Sequence, residues 1–231
     1  MSDRGVGFGG AASPPSIQRE MMTEIEGVPI VTSVAQIWDQ VRNFKARPDD
    51  VLIATYPKAG TTWMIEIVDC VMNDGDTERC KRSPTHDRAP FIERNFTKLL
   101  PLVPWGSWFD HVTGWWESKA KHRVLYLFYE DLKEDPAREI DRVARFLGKG
   151  LDQAVIDRIA DHTSFLQMKE NPMANYSTVP SFIFNQAVSP FMRKGTVGDW
   201  KQHFTVSQSE RFDEEYRRRL AGTSLRFRTE L

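Results

Sequence analysis

Two short segments of this chain collect the residue types that hold phosphate. The first is Tyr56-Pro57-Lys58-Ala59-Gly60-Thr61-Thr62-Trp63, which follows the apolar and β-branched run Val51 to Tyr56. Met64, Ile67, Val68, Val71 and Met72 then fall at helical spacing. A strand, a tight turn and a helix start would set Lys58, two hydroxyls and free helix N–H groups around one anion. Lys58 precedes Gly60, so the spacing is not that of a Walker A loop. Taken alone, the segment can equally be an ordinary βα turn. The second segment, Phe191-Met192-Arg193-Lys194-Gly195-Thr196-Val197-Gly198-Asp199-Trp200-Lys201, puts a guanidinium beside an ammonium in a glycine-containing loop. That combination suits a phosphate dianion, with a solvated basic loop as the alternative. Two anion sites suit a ligand with two separated phosphate groups.

The other chemistry-bearing residues are sparse. His86, His111, His122, His162 and His203 read as surface or structural histidines. Cys70 and Cys80 are too few for a disulfide framework and lack partners at zinc-site spacing, so free thiols, a reducing compartment and no metal are expected. With 31 Lys+Arg against 32 Asp+Glu, the net charge of −1 excludes a global basic field for nucleic acid or an anionic membrane. An anionic ligand must therefore be met locally. No apolar run has the length of a spanning helix and the first fifteen residues carry no apolar signal core, so a cytoplasmic chain is expected. The sequons at Asn95 and Asn175 then read as chance matches.

The elements that must position these groups follow from periodicity. The 231 residues, 40% of them hydrophobic, suit one domain with a single core. Residues 1–16, rich in Gly, Ala, Ser and Pro, are expected as a disordered arm, and 17–231 as the domain. Val34, Ile37, Trp38, Val41 and Phe44 predict a helix within 30–44 with Ser33 as its cap. The stretch 73–104 reads as loop. Trp105, Trp108, Val112, Trp115 and Trp116 form the apolar face of a further helix, and Val124 to Tyr129 predicts a second buried strand. Asp135 and Pro136 open a helix that Gly148 stops, Asp152 opens another, and a capping box Ser207 to Glu210 opens the last. In that last helix Asp213, Glu214 and Glu215 each precede an arginine by four residues, which makes a solvated face. The alternation argues an α/β fold with a parallel sheet, although only two strong strands are found where about four or more are usual.

The two phosphate-type segments together resemble those of the cytosolic sulfotransferases, phenol-type branch. The resemblance covers roughly 17–93 and 106–231, including Leu127-Phe128-Tyr129-Glu130-Asp131 and His162-Thr163-Ser164-Phe165. It implies a P-loop-like parallel sheet flanked by helices and sulfuryl transfer from 3′-phosphoadenylyl sulfate (PAPS) to a hydroxyl or amine of a small acceptor. By that likeness Lys58 is the catalytic cation, and Lys58, Ala59, Gly60, Thr61 and Thr62 hold the 5′-phosphosulfate. Trp63, Tyr129, Thr163 and Phe165 surround the adenine, Ser164 also belongs to the cofactor site, Phe191 and Met192 pack beside the nucleotide, and Arg193, Lys194 and Gly195 take the 3′-phosphate. Lys201, Thr205, Val206 and Glu210 match the family's dimer segment, which implies a homodimer. The chain also departs from the family. Between Glu93 and Gly106 the family carries several dozen more residues, among them the KTHL strand with the catalytic histidine and a strand ending in a 3′-phosphate-binding arginine. No histidine here lies in a KTHL context, so no catalytic base is assigned. The gap, between about residues 94 and 105, removes central strands of the sheet.

Overall fold

The computed structural model describes residues 21–92 and 106–231. The expected arm, 1–16, and the expected break near 94–105, with Trp105 and the Asn95 sequon, lie outside them. The chain opens on a hairpin, β1 (Met22–Ile25) and β2 (Val28–Val31), paired antiparallel with Met22 opposite Val31. Glu26 and Gly27 make its two-residue turn, both at positive φ, as the twist of a tight hairpin requires. Two short helices follow, α1 (Thr32–Ala35) and α2 (Trp38–Arg42). They replace the single helix expected over 30–44. Ser33 is buried inside α1, and Val31, the last residue of β2, stands at the N-cap position.

Three helices build the core. They are α3 (Thr61–Met72), α7 (Pro136–Phe146) and α8 (Gln153–His162). Ile67, Cys70 and Val71 of α3 pack with Ile140, Val143 and Ala144 of α7 and Ile156 and Ile159 of α8. Burying one such Ile stabilises by about 1.5–3 kcal/mol. The helix starts follow their sequence signals: Asp135 accepts from the Arg138 N–H ahead of Pro136, and Asp152 accepts from the Val155 N–H. Between α3 and α7 lie a 3₁₀ turn (Arg79–Lys81), α4 (Thr85–Arg88), α5 (Trp108–Ser118) and α6 (Tyr129–Glu134). The expected loop over 73–104 is therefore partly helical. After α8 come α9 (Phe165–Glu170), a second 3₁₀ turn (Asp199–Gln202) and α10 (Val206–Leu220). The capping box of α10 is Thr205 with Gln208, two residues ahead of the one expected from Ser207.

The hairpin is the only sheet among the described residues. Val51 to Tyr56 and Val124 to Phe128 run extended but carry no ladder, and Tyr129 already belongs to α6. Nor is the first of these runs buried on both faces, because Leu52 is 68% exposed and Val51 is exposed as well. An extended run becomes a strand only where a neighbour supplies the other half of each hydrogen bond. Among the described residues these two runs lead directly into α3 and α6 with no parallel ladder between them.

Candidate functional site

A β-turn shapes the first half of the site. The Ala59 N–H donates to the Tyr56 carbonyl at 3.1 Å, with Pro57 and Lys58 at the corners. Proline suits the first corner, and the second requires positive φ in a type II turn. Lys58 supplies it at φ 66°, followed by Gly60 at 107°. A left-handed residue with a side chain costs on the order of 1 kcal/mol, and such strain collects at functional sites. Gly60 caps α3 with backbone alone, so no side chain occupies the first-turn N–H groups. Those groups point out of the positive end of the helix dipole. A hydrogen bond of 2.5 Å between the Thr55 and Thr61 hydroxyls ties the extended arm to the helix start.

Aromatic rings stand beside this turn. Tyr129 packs 3.5 Å from where a β-carbon on Gly60 would lie and meets Trp63 edge to face at 5.5 Å. Trp63 Nε1 is buried and has no hydrogen-bond partner among the described residues, a donor that a bound polar group could satisfy.

The second basic segment comes to the same place across more than 130 positions of sequence. Lys58 Nζ sits 4.7 Å over the Phe191 ring and 5.7 Å from that of Phe184, with the Tyr176 ring tilted against Phe191 at 4.1 Å. Burial, and then the charge of Arg193, pull the Lys58 ammonium below its ordinary range. A bound anion would relieve that cost on Lys58.

Beyond Lys58, the loop is held by an acid. Asp199 forms an ion pair with Arg193 at 2.6 Å and also pairs with Lys194. The hydrogen bond from Lys194, and the nearby Arg193 and His203, hold its carboxyl below the usual carboxylate range. His203 Nε2 is 3.0 Å from Arg193. Gly195, at φ 65°, lies directly on the Phe165 ring. Phe165 begins α9, where Ser164 caps by accepting from the Gln167 N–H. Thr163 is buried and its hydroxyl donates to the Ile159 carbonyl inside α8, which commits it to packing.

The expected residues thus join in three linked groups: Gly60, Trp63 and Tyr129; Lys58, Phe191 and Arg193; and Gly195 with Phe165. Ala59 lies in the turn and Thr61 and Thr62 in the first turn of α3. Met192 is half-buried beside Phe191, while Lys194 points to Asp199 and Gln202. The expected dimer residues lie together elsewhere: Lys201 pairs with Glu230 at 2.6 Å, Thr205 caps α10, and Val206 and Glu210 are exposed on its first turns. Sequence reasoning missed Asp199 and His203 as clamps on Arg193, and Tyr176 and Phe184 as walls beside Lys58. An acid inside an otherwise basic loop was the available signal for Asp199. Among the histidines, His111 stands against Tyr56 at 5.7 Å, and burial lowers its pKa.

Comparison with known proteins places this geometry in context. A family model described as the sulfotransferase domain matches residues 48–101 and 96–224. Sulfotransferase 1C2 of Rattus norvegicus is 41% identical over 295 aligned positions, which cover 96% of this chain and 100% of that protein. That alignment is longer than the chain's own 231 residues. The fold resembles the crystal structure of retinol dehydratase in complex with androsterone and the inactive cofactor PAP. The TM-score is 0.75 at 18% identity, covering 89% of this chain and 92% of that one. It also resembles mouse sulfotransferase SULT7A1 complexed with PAP, at a TM-score of 0.64 and 24% identity, covering 87% and 95%.

Proposed function

This chain belongs to the sulfotransferase family, and from that premise we propose that it binds PAPS and passes its sulfuryl group to a hydroxyl or amine of a small acceptor. The observation that carries the reading is Lys58 Nζ over the ring of Phe191, which brings the turn to the loop of Arg193, whose charge acts on Lys58. The residues fit the nucleotide: an α3 start without a side-chain cap would meet the 5′ phosphate, the Trp63 donor is unpaired, and Arg193 and Lys194, here paired with Asp199, would take the second phosphate. When bound, PAPS supplies an activated sulfuryl group whose leaving group is a phosphate oxygen. The α3 N–H groups, Thr61 and Thr62 would hold that phosphate, and the Lys58 ammonium would stabilise charge growing on its oxygen, the kind of term worth about 10²–10³ in rate. Trp63, Tyr129 and Phe165 would frame the base. Cytoplasmic location and a homodimer through Lys201, Thr205, Val206 and Glu210 are further parts of this proposal, carried by motif likeness.

The alignment that outruns the chain and the family match in two overlapping pieces support a second element of the reading, a missing segment that includes the catalytic base. Loss of a base costs about 10²–10⁴ in rate. Slow transfer with intact nucleotide binding is therefore expected. The test is an assay with labelled PAPS and a phenol acceptor. Slow, Lys58-dependent label transfer supports the enzyme reading; binding of PAPS with no transfer marks a non-catalytic nucleotide-binding member; absence of both refutes the proposal.

A further inference from the structure

Between α3 and α8 the core holds donor groups that nucleotide binding does not use. Glu66 and Cys70 sit one turn apart on α3, each 0% exposed, and His162 ends α8. A carboxylate oxygen of Glu66, Cys70 Sγ and a ring nitrogen of His162 all lie within 4.8 Å of one another. His162 Nε2 is buried and has no hydrogen-bond partner among the described residues. The facing Glu66 Oε2, at 3.8 Å, is too far to be one. Leaving a buried polar atom unsatisfied costs about 1–3 kcal/mol. The Glu66 carboxylate is divided: Oε1 is taken by Arg88, with the Thr85 hydroxyl at 3.4 Å, while Oε2 turns to His162 with Arg88 Nη1 at 3.5 Å. A second thiol, Cys80 Sγ, stands 3.1 Å from Cys70 Sγ.

We propose that Glu66, Cys70 and His162 form a structural zinc site that staples α3 to α8, with Cys80, which stands beside Cys70 but outside the three-donor cluster, turning in as the fourth ligand. Nitrogen, sulfur and oxygen donors in a closed, buried cluster match tetrahedral Zn²⁺, and a single carboxylate offers too few oxygens for Ca²⁺ or Mg²⁺. Zinc bonds of about 2.0–2.3 Å hold ligand atoms roughly 3.3–3.8 Å apart, so Glu66, Cys70 and His162 close inward by about 1 Å while the two thiols part from their 3.1 Å contact. Charge balances as well. Glu66 and Asp69 are already matched by Arg88 and Arg82, and the two thiol protons leave to solvent as the ion's two charges arrive. The ligands at positions 66, 70, 80 and 162 follow no short zinc-motif spacing, and only the packing of α3 on α8 gathers them. Burial of the cluster implies that the ion loads as the chain folds.

The full chain, stripped by chelation in denaturant and refolded with Zn²⁺ or with Co²⁺, tests this. The expected result is about one metal ion per chain by elemental analysis and a thiolate-to-cobalt charge-transfer absorption in the wild type. Cys70→Ser and His162→Gln, checked for helical circular dichroism, should each weaken uptake by at least about tenfold. A wild-type chain that refolds without holding metal, or a cobalt band unchanged in a folded Cys70→Ser chain, overturns the proposal. Because the readout is metal content and cobalt absorption, its failure is distinct from failure of nucleotide binding.

Discussion

Gly195 rests on Phe165 so closely that a β-carbon placed on it would lie 2.2 Å from the ring's Cδ2. That contact seats the Arg193-Lys194 loop on the start of α9. Gly195→Ala meets both a clash and a backbone φ of 65° that side chains avoid. The expected outcome is an affinity for 3′-phosphoadenosine 5′-phosphate (PAP) weakened by more than about tenfold, measured by calorimetry. A Phe165→Ala, Gly195→Ala double variant should regain only part of the loss, because removing the ring relieves the clash and leaves the backbone strain.

Lys58 makes nucleotide binding depend on pH. Its pKa in the free protein is pulled below 10.5 by burial and by Arg193, and a bound phosphate dianion would restore it. Binding then takes up protons, so PAP affinity should fall as pH rises through the depressed value. The free protein should become more stable over that same window, because there the unfolded chain binds the extra proton. Titrations between about pH 7 and about pH 9.5 check this. Lys58→Gly, which also relieves the positive φ, should keep the fold, lose this pH dependence and bind PAP about 10- to 100-fold more weakly.

The Arg88 side chain, 1% exposed, bridges Glu66 and Asp69. Arg88→Met removes one partner of a buried pair and strands a carboxylate, which typically costs about 3–5 kcal/mol. A Glu66→Gln, Arg88→Met double variant should recover much of that. Denaturant unfolding of the single and double variants provides the measurement, and a neutral Arg88→Met would show that the pair carries no stability.

Val206 is 77% exposed at the first position of α10, with Phe204 and Phe212 each 44% exposed. The proposed dimer would cover these side chains. Val206→Glu puts a negative charge at a helix start, where it favours the folded monomer, so any effect on assembly is separable from folding. Light scattering should give the wild type twice the 26.7 kDa chain mass and the variant a single chain mass.

The local elements of this fold were legible where one residue carries a local rule. Asp135 with Pro136, Asp152, and the Gly60 turn into α3 all stand where their capping and turn chemistry places them. The candidate site could be proposed from two basic motifs, because phosphate chemistry demands lysine, arginine, hydroxyls and glycine close in sequence. Long-range partners were not. Asp199 on Arg193, Arg88 on Glu66, and His162 facing Cys70 depend on packing that no periodicity encodes. Met72, expected inside, is exposed while Glu66 is buried, because Arg88 and Thr85 reach in to satisfy its carboxylate. Val51 to Tyr56 shows the opposite failure, since a strand pattern forms no strand without its neighbours.

In the proposed function, the turn carrying Lys58 and the loop carrying Arg193 form one nucleotide site. Thermal unfolding with and without PAP tests it most directly, because ligand at about 100 times its Kd adds roughly 2.7 kcal/mol to a folded binder. A cooperative transition that PAP moves upward is expected in the wild type, with the shift much reduced in Lys58→Gly and Arg193→Ala. A cooperative transition that PAP leaves unmoved, or moves equally in all three proteins, would contradict it.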